Sequence, residues 1–131
     1  MTRTVAALLL LVGWAPTSAA PVPPRPKHLT EEMLVGRWDF TWGDSRGTLW
    51  VGADGEYAET LEGHGNVIYH GRWWLDRNEL VMREWRFDPE HQTNWGPQTY
   101  RFELDLRDYP RFSSTTGVVR ITMANRRQPG E

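Results

Sequence analysis

Gly36-Arg37-Trp38-Asp39-Phe40-Thr41-Trp42 sets an aromatic ring at every second position, with polar or charged side chains between. A period of two is the repeat of a β-strand, whose successive side chains leave opposite faces. Trp38, Phe40 and Trp42 therefore share one face, and Arg37, Asp39 and Thr41 the other. The opening triplet returns as Gly71-Arg72-Trp73 in a second alternating stretch, and the chain holds eight tryptophans in 131 residues. These rings belong to strands, and the pattern predicts an all-β fold.

Outward from that strand the chain reads as short strands and tight turns. Gly43-Asp44-Ser45-Arg46-Gly47 reads as a turn and Thr48 to Gly52 as the second strand. Asp54-Gly55 signals a type I′ hairpin, a turn that needs positive φ at both central residues. Glu56 to Leu61 returns, and Val67 to Leu75 pairs with Glu79 to Phe87 across Asp76-Arg77-Asn78. A longer loop, Asp88 to Pro97, carries Trp95. Gln98 to Leu106 alternates again, Asp108-Tyr109-Pro110 turns, and Gly117 to Ala124 is the last strand. Every link is too short for a parallel crossover. The expectation is a small antiparallel meander of seven to eight strands closed into a barrel, which removes its edges; a two-sheet β-sandwich is the alternative.

The N-terminal end carries a different signal. Arg3 gives a positive n-region, Val5 to Val12 an apolar run, and Thr17-Ser18-Ala19-Ala20 a small-residue cleavage zone. The expected organisation is a signal peptide over 1–19, a proline-rich spacer over 20–29, the barrel over 30–126 and a tail over 127–131. The apolar run falls well short of the roughly 20 residues of a membrane-spanning helix. The expected location is therefore periplasmic or extracellular, with no transmembrane segment after signal cleavage. Without cysteine there is neither a disulfide staple nor a lipidated cut site. Removing Arg3 leaves 14 basic against 17 acidic residues, a net charge of −3. That charge, with no concentrated basic face, argues against nucleic acid as a partner. Thr30 reads as the N-cap of a short helix with Glu31 and Glu32 in its first turn, ended by Gly36.

A short helix running into Gly36-x-Trp38, then Thr48-Leu49-Trp50-Val51 with Asp54-Gly55 and Tyr57, then Gly71-x-Trp73-x-Leu75 and Leu80, resembles the bacterial lipocalin-like domains of the calycin superfamily over about residues 30–87. The resemblance implies that Gly36 and Trp38 are structural, with the indole plugging the closed end of a barrel. It also implies an arginine of the last strand stacked on that ring, with Arg120 and Arg126 the two candidates.

An eight-stranded barrel has an interior just wide enough for its side chains to fill or to hold one small ligand. Any pocket is expected to be narrow, aromatic and opposite Trp38. The candidate ligand contacts are Trp42, Tyr57, Tyr69, Met82, Glu84, Arg86, Trp95 and Tyr100. Glu84 and Arg86 follow Met82 in phase and bring charge to the inner face, as an ion pair or as a hold on a polar ligand group, and Trp95 is placed to cover the mouth. The ligand expected is small and apolar or amphipathic. Trp50, Trp74 and Trp85 alternate outward. Exposed indoles can mark an interaction surface, here for a polysaccharide or protein partner. The remaining reading is a purely structural domain. His28, His64, His70 and His91 fall at no metal-ligand spacing, and no serine elbow or phosphate loop occurs. A His70–Glu84 acid–base couple across paired strands is the one catalytic arrangement on offer, and a surface His70 is the preferred reading. No enzyme activity, cofactor or metal is expected.

Overall fold

A computed structural model of the chain describes residues 24–114 and 116–128. The expected signal peptide lies outside the described residues, as does the end of the tail. One helical turn, α1 (Glu31–Leu34), leads into eight strands: β1 (Gly36–Trp42), β2 (Ser45–Val51), β3 (Glu56–Leu61), β4 (Ile68–Asp76), β5 (Glu79–Asp88), β6 (Thr93–Asp105), β7 (Phe112–Ser114) and β8 (Ile121–Arg127). Each strand pairs antiparallel with the next, and β1 pairs with both β2 and β8, so the meander closes into a barrel. The barrel, not the sandwich, is the fold.

Alternation correctly orders the inner face. Trp38, Phe40, Leu49, Val51, Tyr57, Leu61, Trp73, Leu80, Met82, Phe102, Leu104, Ile121 and Met123 are all buried. Trp38 closes one end. Its indole N–H donates to the Leu34 carbonyl at 2.8 Å, and its ring meets Phe112 edge to face at 5.6 Å. Arg126, rather than Arg120, lies over that ring at 5.9 Å, and it donates to the carbonyls of Glu32, Met33 and Val35. It thus serves three of the carbonyls that a one-turn helix leaves without partners. Thr30 has the extended backbone of an N-cap but makes no side-chain capping bond. The spacer also reaches the core: Leu29 is buried, and its N–H donates to the Asn78 side chain.

The two Gly-Arg-Trp triplets share letters but not physics. Gly36 has φ +141°, and a Cβ there would stand 2.6 Å from the Arg127 carbonyl oxygen. At Gly71 the backbones of β4 and β5 approach so closely that a Cβ would come within 1.9 Å of the Arg83 carbonyl oxygen. Glycines at such points let a sheet curl tightly enough to close.

Several boundaries differ from expectation. β2 begins at Ser45, leaving a two-residue link with Gly43 at φ +60°. The Asp54-Gly55 hairpin is not type I′: only Gly55 is left-handed, and Gly52 donates to Glu56 across three intervening residues. That is the three-residue loop with glycine in the left-handed position. β7 goes unforeseen because three residues show no period, and the last strand begins at Ile121 rather than Gly117. β5 and β6 run on as a paired ribbon past the barrel, so Trp95 sits on a strand and not in a loop.

Candidate functional site

Chain direction sets which side chains reach the open end. β1 runs away from the Trp38 plug and finishes at Trp42, while β4 and β6 start at the opposite end, bringing in Tyr69 and Tyr100. Trp42 packs edge to face on Tyr100 at 4.8 Å and on Phe102 at 5.5 Å. The β5–β6 ribbon pairs Arg86 with Trp95. The Arg86 guanidinium lies 4.9 Å from the Trp95 ring and 6.0 Å from the Tyr69 ring. Trp42, Tyr69 and Tyr100 are half-buried and Trp95 is exposed, so this end of the barrel presents rings to solvent.

Beneath these rings lies a polar group that alternation implies but composition hides. Glu59 stands between Tyr57 and Leu61 on the inward face of β3 and is 1 % exposed. Neither of its carboxyl oxygens meets an N–H or O–H donor. Its polar neighbour is Glu84 on β5, itself buried and close enough to share a hydrogen bond when one of the two carboxyls carries a proton. Burial pushes the Glu59 carboxyl far above the ordinary value of 4.5, and the bond to Glu84 and its charge push the same way. Glu84 is also raised by burial, against hydrogen bonds from Glu59 and Tyr57 and the positive charge of Arg86. The pair therefore holds a proton at neutral pH.

Local structure explains how Tyr57 reaches this pair. Gly71 is the register partner of both Tyr57 and Glu84 and has no side chain to separate them. The Tyr57 hydroxyl donates across it to Glu84 Oε1 at 3.2 Å. Burial, and then the charges of Glu84 and Glu59, hold that phenol far above its usual range. Tyr69, the register partner of Glu59, is fixed from the other side: its hydroxyl meets His64 Nδ1 at 2.6 Å, and His64 Nε2 meets Ser45 Oγ at 3.2 Å. The phenols of Tyr69 and Tyr100 are both raised, chiefly by burial, and both feel the two carboxylates.

Of the eight expected ligand contacts, Trp42, Tyr69, Arg86, Trp95 and Tyr100 come to the open end and Glu84 is buried beside Tyr57, while Met82 is buried in the wall between Trp73 and Tyr100 in the sheet register. Glu59, His64 and Ser45 were missed. The signal for Glu59 was its phase: a position between two inward residues points inward whatever its charge. The His70–Glu84 couple is not formed, and His70 lies at the surface, as preferred. Glu84 faces the interior opposite Gly71, while His70 faces outward opposite Trp85 and stacks on its ring at 6.4 Å. The chain matches no family model, no curated protein and no solved structure.

The outer face holds the other candidates. Trp50 and Trp74 are exposed and Trp85 is half-buried. Trp50, Ala58, His70 and Trp85 are successive register partners across β2 to β5, a row about 14 Å long at the usual strand spacing. Trp74 lies off that row, four residues along β4 from His70, roughly 13 Å. A groove of about 370 Å³ runs beside the row between Trp50 and His70. A larger concavity of about 770 Å³ also opens outside, lined by Asp39, Arg46, Thr48, Glu62 and Thr122 among others. Asp88, Glu90 and His91 bring donor atoms within 4.8 Å of one another at the ribbon tip, where His91 already pairs with Asp88 at 2.7 Å.

Proposed function

We propose that this chain is an exported lipocalin-like barrel that receives a small amphipathic molecule at its open end. One observation carries the reading. Tyr69 and Trp95 flank Arg86, and Trp42 packs on Tyr100, at the end opposite the Trp38 plug. Partly exposed rings around a few polar groups are the usual composition of a small-molecule site. The lower barrel is filled by Trp38, Phe40, Phe102 and Phe112, each fully buried, so the ligand enters from the mouth and stops short of the plugged end. The export signal in the sequence supports a periplasmic or extracellular setting. Titrating a panel of amphipathic molecules against the intrinsic tryptophan fluorescence tests the reading; no saturable change with any of them overturns it.

The Trp50–Ala58–His70–Trp85 row favours a second reading, a surface that stacks on a polysaccharide or a protein partner. Replacing Trp50, Trp74 and Trp85 by alanine then removes retention on the target while the fold persists. Unchanged retention excludes it.

A further inference from the structure

We propose that the Glu59–Glu84 pair is the polar end of the mouth site and takes a primary ammonium group, so that the ligand is a small amine with an apolar or aromatic body. This deepens the reading of the mouth as a binding site and rests on it.

Glu59 has acceptor oxygens that no N–H or O–H donor meets. Both are fully buried, and the Tyr57 hydroxyl is already given to Glu84. Buried polar groups are almost always satisfied, and the proton shared with Glu84 gives this carboxyl one bond, so the pair keeps acceptor capacity for further donors. Charge says which. The ionisable groups around the carboxyl pair are Tyr57 on β3, Tyr69 on β4, Arg86 on β5, which acts on Glu84, and Tyr100 on β6. The tyrosines are neutral. With both carboxyls ionised, two negative charges face the single positive charge of Arg86. One positive charge is missing, and a proton shared by the carboxyls supplies it.

A proton fills the charge but makes one hydrogen bond. A primary ammonium brings the same single charge with three N–H donors, enough to serve both carboxyls. A divalent cation overshoots the charge and asks for more oxygen ligands than two carboxyls give. An anionic head meets Arg86 at the mouth but is repelled by the pair. The neighbouring rings suit the rest of the molecule: Tyr69 and Tyr100 flank the carboxyls, Trp42 packs on Tyr100, and aromatic faces attract a cation and hold a flat apolar body. Binding of the amine then expels the shared proton.

Calorimetric titration of the folded chain with 2-phenylethylamine, 2-phenylethanol and phenylacetate, in two buffers of different ionisation heat, tests this. The amine is expected to bind about tenfold or more tighter than the alcohol. It should release a proton to the buffer and gain affinity from about pH 6 to about pH 8. Glu59→Gln should lose both the amine's advantage over the alcohol and the proton release. Should that variant fail to fold, Glu84→Gln carries the same comparison. Equal affinity for amine and alcohol, or a preference for phenylacetate, overturns the proposal and leaves the mouth reading standing. No binding by any of the three overturns both.

Discussion

Glu59 and Glu84 share a hydrogen bond inside the barrel through one proton, and the Tyr57 hydroxyl donates to Glu84 at 3.2 Å. Such a pair is costly to fold. The folded chain keeps a proton on Glu59 above the ordinary carboxyl value of 4.5, whereas the unfolded chain gives it up there. Protons bound in the folded state alone make stability fall as pH rises. The site's contribution is thus fully present below about pH 4.5 and is lost progressively up to the raised value in the folded state. Urea midpoints measured across neutral pH should decline with rising pH, and Glu59→Gln should flatten that slope.

The same substitution is expected to stabilise the protein near neutral pH, by about 1–3 kcal/mol, because glutamine needs no proton to be neutral. Thermal or urea unfolding at one pH checks it. A destabilised Glu59→Gln would mean that the carboxyl makes a structural bond.

Arg126 carries three hydrogen bonds to the carbonyls of α1 and its C-cap and covers the Trp38 ring. Arg126→Ala should cost roughly 1–3 kcal/mol. Arg120→Ala should stay within about 0.5 kcal/mol, as exposed surface changes do. Denaturant unfolding of the two variants side by side separates them.

Trp73 and Trp74 are neighbours with opposite fates. Trp73 is buried and its indole donates to the Gly52 carbonyl at 2.8 Å, whereas Trp74 is 40 % exposed. Trp73→Ala should cost about 3–5 kcal/mol, and Trp74→Ala under about 1 kcal/mol. Comparable losses in the two melting curves would contradict the register of β4.

Much of this architecture was legible in the sequence for one physical reason: a closed sheet buries one face, so alternation alone sorts Trp38, Phe40 and Trp42 from Arg37, Asp39 and Thr41. The same rule placed Trp50 and Trp74 outside. It stopped where period gives way to other forces. Phe112–Ser114 is too short to show a period, and Gln92, Gly96 and Pro97 disguised a ribbon as a loop. Glu59 was legible by phase and hidden by its charge, since a lone acid is seldom placed in a core. The Ser45–His64–Tyr69 chain joins three turns and strand ends whose meeting depends on barrel closure, which no local pattern records.

The central claim is that the open end, and not the outer tryptophan row, receives the ligand. The most direct measurement follows the indole N–H resonances in ¹⁵N-labelled protein as 2-phenylethylamine is added. The account predicts saturable shifts at Trp42 and Trp95, with Trp50 and Trp74 unmoved. Saturable shifts at Trp50 and Trp85 with none at Trp42 would contradict it.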